Sequence, residues 1–501
     1  MIRRPYPIDL PAHCRVAIVG GGISGLAAAH RLVETGSVRG TELVLVERED
    51  RIGGQVRTLR TDPYLLEAGP DTMVTQKPAG LALCRRLGLE PELIRPYRGE
   101  PTVHVLRHGR VHRVPDGFSL VGPTRLAPLL ASGLFGPAAK IRMIAERFLP
   151  PVPPAEGDES LRSFVTRRYG RAAFERVAEP IVGGLFTADA DRLSMQLTLP
   201  RFLDLEAQSG SVWRGLSNAR NGTTGSAAHE PVALRGGMQQ LVDRLEQRLT
   251  GVTIATRTAA RSLARADAGG WLLELETGQV LRAEAVVLAC PGFVAARLLR
   301  SLAPRLADRF GELDYASCAT INLVYRRGDV ADRHEGFGFF VPRTEGIPLL
   351  ACSYVSRKFP DRAPADRLVL RAYVGGALHA ELPALEDRIL VARVHALLQS
   401  LLGITRPPSF ARVHRHPQAM PQYVVGDLAR VRDIERLLAD QRGLFVCGGS
   451  LDAIGLPDCI RSGERAADRV DQHLERRPRA RRIDRSGSGP ALRPALNAGP
   501  R

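Results

Sequence analysis

Lysine is almost missing from this chain. Of its 70 basic residues only Lys77, Lys140 and Lys358 are lysines, and the other 67 are arginines. So one-sided a choice reflects coding composition more than function, which weakens the net charge of +17 as a pointer to polyanionic partners. Eight arginines fall in residues 476–501 against one acid, Asp484, in a Gly/Pro/Ser/Ala-rich tail expected to be disordered. Aromatics are scarce at 5% and do not cluster with the basic residues, so nucleic-acid binding is not expected. What basic balance remains suits a small anionic substrate or an acidic membrane surface. Long apolar runs are absent too: nothing approaches the roughly 20 consecutive apolar residues that span a bilayer. Residues 1–13 lack the apolar stretch of a secretory leader, so a cytoplasmic protein is expected. The seven cysteines form no CxxC pair and no Cys/His metal spacing, which excludes a disulfide scaffold and a zinc module.

What is present is a 501-residue chain, 44% hydrophobic and 25% charged, long enough for two or three domains with buried cores. The run Arg-Val-Ala-Ile-Val at 15–19 reads as a buried strand. A glycine-rich turn and a helical pattern follow, and the apolar run 42–46 reads as a second strand. Residues 98–208 open with a polar hairpin around His108 and Gly109 and then turn helical; Pro150 to Pro154 is a stop. Residues 209–230, rich in Gly, Ser, Asn and Thr, read as a flexible loop. Strands are expected at 252–256, 271–276 and 285–289, in several runs between 311 and 380, and at 444–447, with a last helix after Pro457. The expected architecture is α/β and discontinuous. A nucleotide-binding unit of residues 1–97, 231–303 and 421–475 interleaves with a mixed-sheet substrate unit of residues 304–420 and a helical insert at 98–208. The tail begins at 476.

Three pieces carry chemistry. The first is Gly20-Gly21-Gly22-Ile23-Ser24-Gly25, set between strand and helix. Glycines there allow a tight turn, close approach of backbone to a pyrophosphate, and close helix–strand packing, with the helix N-terminus facing the phosphates. Such a motif alone is weak; its position makes it meaningful. The second is Glu47 at the end of the second strand, followed by Arg48. A carboxylate there accepts ribose hydroxyls and disfavours a 2′-phosphate. The third is Arg51-Ile52-Gly53-Gly54-Gln55-Val56-Arg57-Thr58, whose glycine pair lets another backbone segment cross the cofactor.

With these pieces together the sequence resembles the flavoprotein family that includes amine oxidases, phytoene desaturases and protoporphyrinogen oxidases, which implies FAD. Several stretches are similar to the porphyrinogen oxidases in particular. Glu67-Ala68-Gly69-Pro70-Asp71-Thr72 with Lys77-Pro78 resembles their segment beside the flavin. The run Gly336 to Pro342 resembles a glycine-aromatic strand of their substrate unit, and Ala351-Cys352-Ser353-Tyr354 with Phe359 to Pro364 resembles their soluble bacterial branch. Cys447-Gly448-Gly449 and Ile454-Gly455-Leu456 through Gly463 resemble the segment closing over the isoalloxazine. Asp427 stands where the family usually has histidine.

The resemblance implies oxidation of a porphyrinogen to a porphyrin in haem biosynthesis. Six electrons pass to three molecules of O2, with release of hydrogen peroxide. The flavin takes the hydride, so no protein acid–base pair is required. Coproporphyrinogen III is the favoured substrate and protoporphyrinogen IX the second. A carotenoid desaturase or amine oxidase, and a non-catalytic prenyl-protein-binding protein of the GDP-dissociation-inhibitor type, are the other readings. A large flat anion needs cations and apolar walls. Lys77 is either a propionate contact or a surface lysine. Phe339 and Phe340 alternate on a strand, so one is expected to face a cavity and the other the core. Tyr373 is either a hydrogen-bond donor in that cavity or a packed strand tyrosine. Residues 118–149 read first as amphipathic helix over the protein's own core, with peripheral membrane contact as the alternative.

Overall fold

The computed structural model describes residues 10–96, 102–151, 157–221, 231–331, 336–451 and 454–476. Two seven-stranded sheets organise them. In the first, β1 (His13–Val19) and β2 (Leu43–Val46) are joined through α1 (Ile23–Glu34). Across this sheet the order is Thr253–Ala255, β2, β1, Val280–Leu288, Trp271–Leu275, Ala260–Arg265, with Leu444–Val446 beside the far half of Val280–Leu288. The strands flanking β1 and β2 and the Leu444–Val446 strand run parallel, so both faces need covering, and the central stretches Val16–Val19, Leu43–Val46 and 285–288 are apolar. Period-two alternation then sorts the side chains. Val16, Ile18, Leu43, Leu45 and Val287 pack under α1, the helix Gln239–Arg248 and the helix Leu456–Glu475. Ala17, Val19, Val44, Val46, Val286 and Leu288 pack on the opposite face against Trp271, Leu299 and Phe310.

The second sheet is mixed and orders Phe410–Pro421, Tyr315–Arg326, Arg367–Gly375, Ala351–Tyr354, Gly338–Phe340, His104–Arg107 and Arg110–Arg113. Alternation here separates an apolar face from a polar one. Ile321, Leu323, Tyr325, Leu368, Leu370, Ala372 and Val374 meet Leu390, Val394, Leu398 and Leu402 of the helix Asp387–Leu402, whose i, i+4 spacing forms one stripe. Thr320, Asn322, Arg371 and Tyr373 point the other way, toward residues 67–72. The hairpin at His108 and Gly109 turns on two positive φ values, 50° and 71°, as a tight two-residue turn demands. Although it lies within the segment expected to be a helical insert, it forms the edge of this sheet.

Helices fill most of residues 126–221 around a separate apolar core. The helix Phe174–Gly183 is wound with π spacing and contains Pro180, which cannot donate to a tighter ladder. The expected flexible loop at 209–230 is corrected in part. Val212–Asn221 is a helix, because Val212 and Trp213 bury into that core and Glu146 accepts hydrogen bonds from the N–H groups of both. Residues 222–230 and all of the basic tail beyond Arg476 lie outside the described residues.

Candidate cofactor and substrate site

The three sequence pieces meet at the N-terminus of α1. Gly20 has φ +112°, and a Cβ there would stand 2.4 Å from Ala289 O, so only glycine fits. A Cβ on Gly25 would stand 2.0 Å from Gly20 O, which is how α1 comes so close to the turn. Gly22 caps α1 with no side-chain hydrogen bond, and a Cβ built on it meets nothing within 4 Å. The first N–H groups of a helix lack intrahelical partners, so this end is open and carries partial positive charge. Ile23 and Ser24 are buried in its first turn. Glu47 is fixed from both sides: one carboxylate oxygen accepts from Gly21 N at 2.7 Å and the other from Glu49 N at 2.8 Å. Gly53 N donates to Gly21 O at 2.7 Å, and Gly54 packs its Cα region on Gly22. The Arg51 guanidinium braces this second turn through the carbonyls of Gly54 and Val56 and the Gln239 side chain. Arg48 is not brought in; its guanidinium turns outward to Glu49.

From Gln55 the chain leads to a second cluster. Gly69 passes so close beneath Gln55 that a Cβ would stand 1.7 Å from the Gln55 carbonyl oxygen. The polar face of the second sheet lies over this segment in register: His414, Thr320, Tyr373 and Ala351 form one cross-strand row, and Arg412, Asn322, Arg371 and Ser353 the next. Thr320 Oγ1 donates to Ala68 O at 2.8 Å, and Asn322 Nδ2 to Glu67 O at 3.1 Å. Arg371, 2% exposed, donates through Nη2 to the carbonyls of Ala68 and Gly69. His416 reaches Ala68 O at 2.9 Å with one ring nitrogen and the Gln55 side-chain amide with the other. Burial, helped by the Arg371 cation, pulls the His416 pKa down to about 4 and keeps the ring neutral. Asp71 bonds Thr72 Oγ1 and Lys358 Nζ, each at 3.2 Å. Burial alone would raise its pKa; the Lys358 and Arg371 cations outweigh that and hold it at about 2. Pro70 is half-buried on the same segment.

The remaining expected contacts fall around these clusters. Lys77 Nζ is ion-paired with Asp458, in the first turn of the helix Leu456–Glu475, while its side chain stays 48% exposed. Ile454 and Gly455 lead into that helix, which Gly455 caps without a side-chain bond, and Leu456 is buried. Phe339 is sealed in the core edge-on to Tyr354, whereas Phe340 is half-buried and leans over Gly184. Tyr373 is half-buried, its ring 4.9 Å from the Arg371 guanidinium, and burial keeps its hydroxyl protonated. A small cleft beside Gly184 is walled by Pro180, Val341, Leu349 and Leu350, with Glu179, Arg343 and His379 as its polar members. Burial lifts the Glu179 pKa to about 7. Asp427 serves the fold: buried at the start of the helix Asp427–Ala439, it accepts from Val424 N and pairs with Arg430. Arg371, Thr320, Asn322, His416 and Lys358 were not singled out in the sequence. The signal lay in Thr320 and Asn322 alternating with Ile321 and Leu323, and in Arg371 and Tyr373 alternating with Leu370, Ala372 and Val374.

These residues fit a bound dinucleotide. The helix end is open, Glu47 is oriented by two backbone donors, and the glycine turn leaves space, where a Cβ on Gly22 would meet no atom within 4 Å. The sequence matches the family described as flavin-containing amine oxidoreductase over residues 23–471. The chain belongs to that family. The expected amine-oxidase-type α/β fold is therefore borne out, and a flavin is the cofactor of this oxidoreductase. Among the described residues no group of His, Cys, Asp or Glu is arranged to hold a metal ion. The chain is 32% identical to the coproporphyrinogen III oxidase of Bacillus subtilis (strain 168), over 90% of this chain and 96% of that protein. It is 33% identical to the coproporphyrinogen III oxidase of Propionibacterium freudenreichii subsp. freudenreichii, over 92% and 91%. A crystal structure from Exiguobacterium sp. 255-15, provisionally named a protoporphyrinogen oxidase, superposes with a TM-score of 0.79 at 28% identity, over 92% of this chain and 99% of that one. Among the described residues no helix is long and apolar enough to cross a membrane.

Proposed function

We propose that this flavoprotein binds FAD and oxidises a porphyrinogen to the porphyrin, with coproporphyrinogen III preferred over protoporphyrinogen IX. The observation that carries the reading is the buried polar face of Thr320, Asn322 and Arg371 clamped on residues 67–69, next to a nucleotide turn organised by Glu47. The near-full-length likeness to two coproporphyrinogen III oxidases supports the substrate class. Gly20 to Gly25 would hold the pyrophosphate, Glu47 the ribose, Gly53, Gly54 and Gln55 the crossing segment, and Gly69 to Thr72 with Ile454 to Leu456 the ring. FAD, when bound, supplies the hydride acceptor. The protein's own work is to bind, orient and exclude water. Phe340 is the better placed of the two phenylalanines for a substrate wall, since Phe339 is closed into the core. Lys77 and Tyr373 complete the proposed substrate contacts, Lys77 by exchanging Asp458 for a propionate. Oxygen is the proposed acceptor and the cytoplasm the proposed compartment. Leu126, Leu130, Ile141 and Phe148, exposed by 42%, 51%, 68% and 76% beside Lys140, support a peripheral membrane contact in addition.

The deciding experiment reduces the FAD-loaded protein anaerobically with coproporphyrinogen III and protoporphyrinogen IX side by side, then admits air and reads porphyrin fluorescence. Faster bleaching by coproporphyrinogen III is expected. Faster bleaching by protoporphyrinogen reverses the substrate order, and no bleaching by either returns the desaturase and amine-oxidase readings. A protein that stays colourless with added FAD points to the non-catalytic binding protein.

A further inference from the structure

The buried shell around residues 67–72 holds more positive than negative charge. Lys358, Arg362 and Arg371 are 9%, 2% and 2% exposed, and the carboxylates inside the shell are Glu67 and Asp71; a third acid near Arg362, Asp361, stays 69% exposed to solvent. Each of the others has its partners. Lys358 is paired with Asp71. Arg362 donates to the carbonyls of Leu234 and Arg235 at 2.8 and 2.9 Å. Glu67 accepts from Met238 N at 2.9 Å and Thr58 Oγ1 at 2.8 Å. Both histidines on this face, His414 and His416, stay neutral, and so does Tyr373. That leaves Arg371 as the surplus cation, tethered by two carbonyls and lying 4.9 Å from the Tyr373 ring, with no carboxylate bonded to it and with Nε and Nη1 lacking hydrogen-bond partners. An arginine cannot escape burial by losing its proton. A guanidinium held there against its desolvation cost calls for negative charge from outside the protein.

We propose that Arg371 is a fixed countercharge for the flavin: it compensates the negative charge that reduction places on the cofactor and so raises its reduction potential. The inference rests on the reading of residues 69–72 as the segment beside FAD. A diffusing carboxylate is the weaker candidate, because Nε and Nη1 are closed off from solvent. Charge developing on a resident group acts through the low-dielectric interior without direct contact. Arg371 is thus a positioning and electrostatic residue rather than a catalytic one. The polar row carries it to the carbonyls of Ala68 and Gly69, and the carbonyls hold it in place.

The test compares FAD-loaded wild type with Arg371→Met, Arg371→Lys and Asp71→Asn. It measures affinity for oxidised FAD and midpoint potential by anaerobic equilibration with a reference dye. Arg371→Met is expected to weaken binding of reduced relative to oxidised FAD about tenfold, equivalent to a potential lower by about 30 mV for two electrons. Arg371→Lys keeps the cation and should restore most of that shift. Asp71→Asn removes a negative charge from the same shell and should move the potential upward, which keeps the proposal testable if Arg371→Met does not fold. An Arg371→Met protein that binds FAD at the wild-type potential overturns the proposal, as does an Asp71→Asn protein with an unchanged or lowered potential. Wild type that takes up no FAD overturns instead the FAD reading beneath it.

Discussion

Replacing Glu47 tests the nucleotide site most directly. Its carboxylate receives two backbone donors, Gly21 N and Glu49 N, so it shapes the glycine turn before any cofactor arrives. A hydrogen bond to a charged acceptor contributes about 1.5–3 kcal/mol. Glu47 is half-buried, so water replaces part of what is lost and the low end applies. Removing both bonds and the ribose contact in Glu47→Ala should cost about 2–4 kcal/mol of FAD affinity, a roughly 30- to 1000-fold rise in Kd. Glu47→Gln is the sharper variant. Its amide oxygen satisfies one backbone N–H, but its NH2 then faces the other, donor against donor, which should weaken binding about tenfold. The assay titrates apoprotein with FAD and follows quenching of flavin fluorescence, with the Tm of each apoprotein as a folding control. Both variants within twofold of wild type, at unchanged apoprotein Tm, would refute the assignment of Glu47.

Two further perturbations probe parts of the fold around the site. Glu146→Ala strands the buried Arg168 and removes acceptors from Ser211 Oγ, Val212 N and Trp213 N, so about 3–5 kcal/mol of local stability should go. Trp213 fluorescence during urea unfolding reads this, and an unchanged transition would mean that Glu206, 3.4 Å from Arg168, suffices alone. Glu179 has a folded pKa of about 7, above its ordinary value of 4.5, so the fold binds its proton more tightly than the unfolded chain does. Its contribution is therefore fully present below pH 4.5 and is lost as pH rises through 7. Glu179→Gln should unfold with less pH dependence across that window; Tm profiles of both proteins running parallel from pH 4.5 to 8 would contradict this.

How much was legible in the sequence depended on the range of the interaction. The turn at Gly20 to Gly25, Glu47 and the Gly53-Gly54 pair are local devices whose residue types carry their own reason, so their meeting could be foreseen. The helix Val212–Asn221 could not be, because its composition is that of a loop and the missing stabilisation comes from Glu146, far away in the chain. Arg371 escaped for a related cause. Within its strand it is one arginine among 67, and only the register against Asn322 and the contact with Ala68 set it apart. Lys77 stands out by its place after residues 67–72 and by its rarity, and neither says anything about the waiting partner, Asp458. The edge hairpin at 104–113 was visible as a hairpin, but which sheet would receive it was a question of tertiary pairing.

The contact between α1 and the last helix has a consequence in time. Gly463 lies so tightly on α1 that a Cβ would stand 2.2 Å from Ser24 O, and Gly448 N donates to Ser462 Oγ at the same junction. The strand Leu444–Val446 enters a sheet begun at His13. Chains grow from the N-terminus at about 5–20 residues per second, so the turn at Gly20 to Gly25 waits roughly 20–90 s for the segment around Gly463 that packs on it. Until then the strand Val280–Leu288 lacks its Leu444–Val446 neighbour and the glycine turn lacks the helix that packs on it.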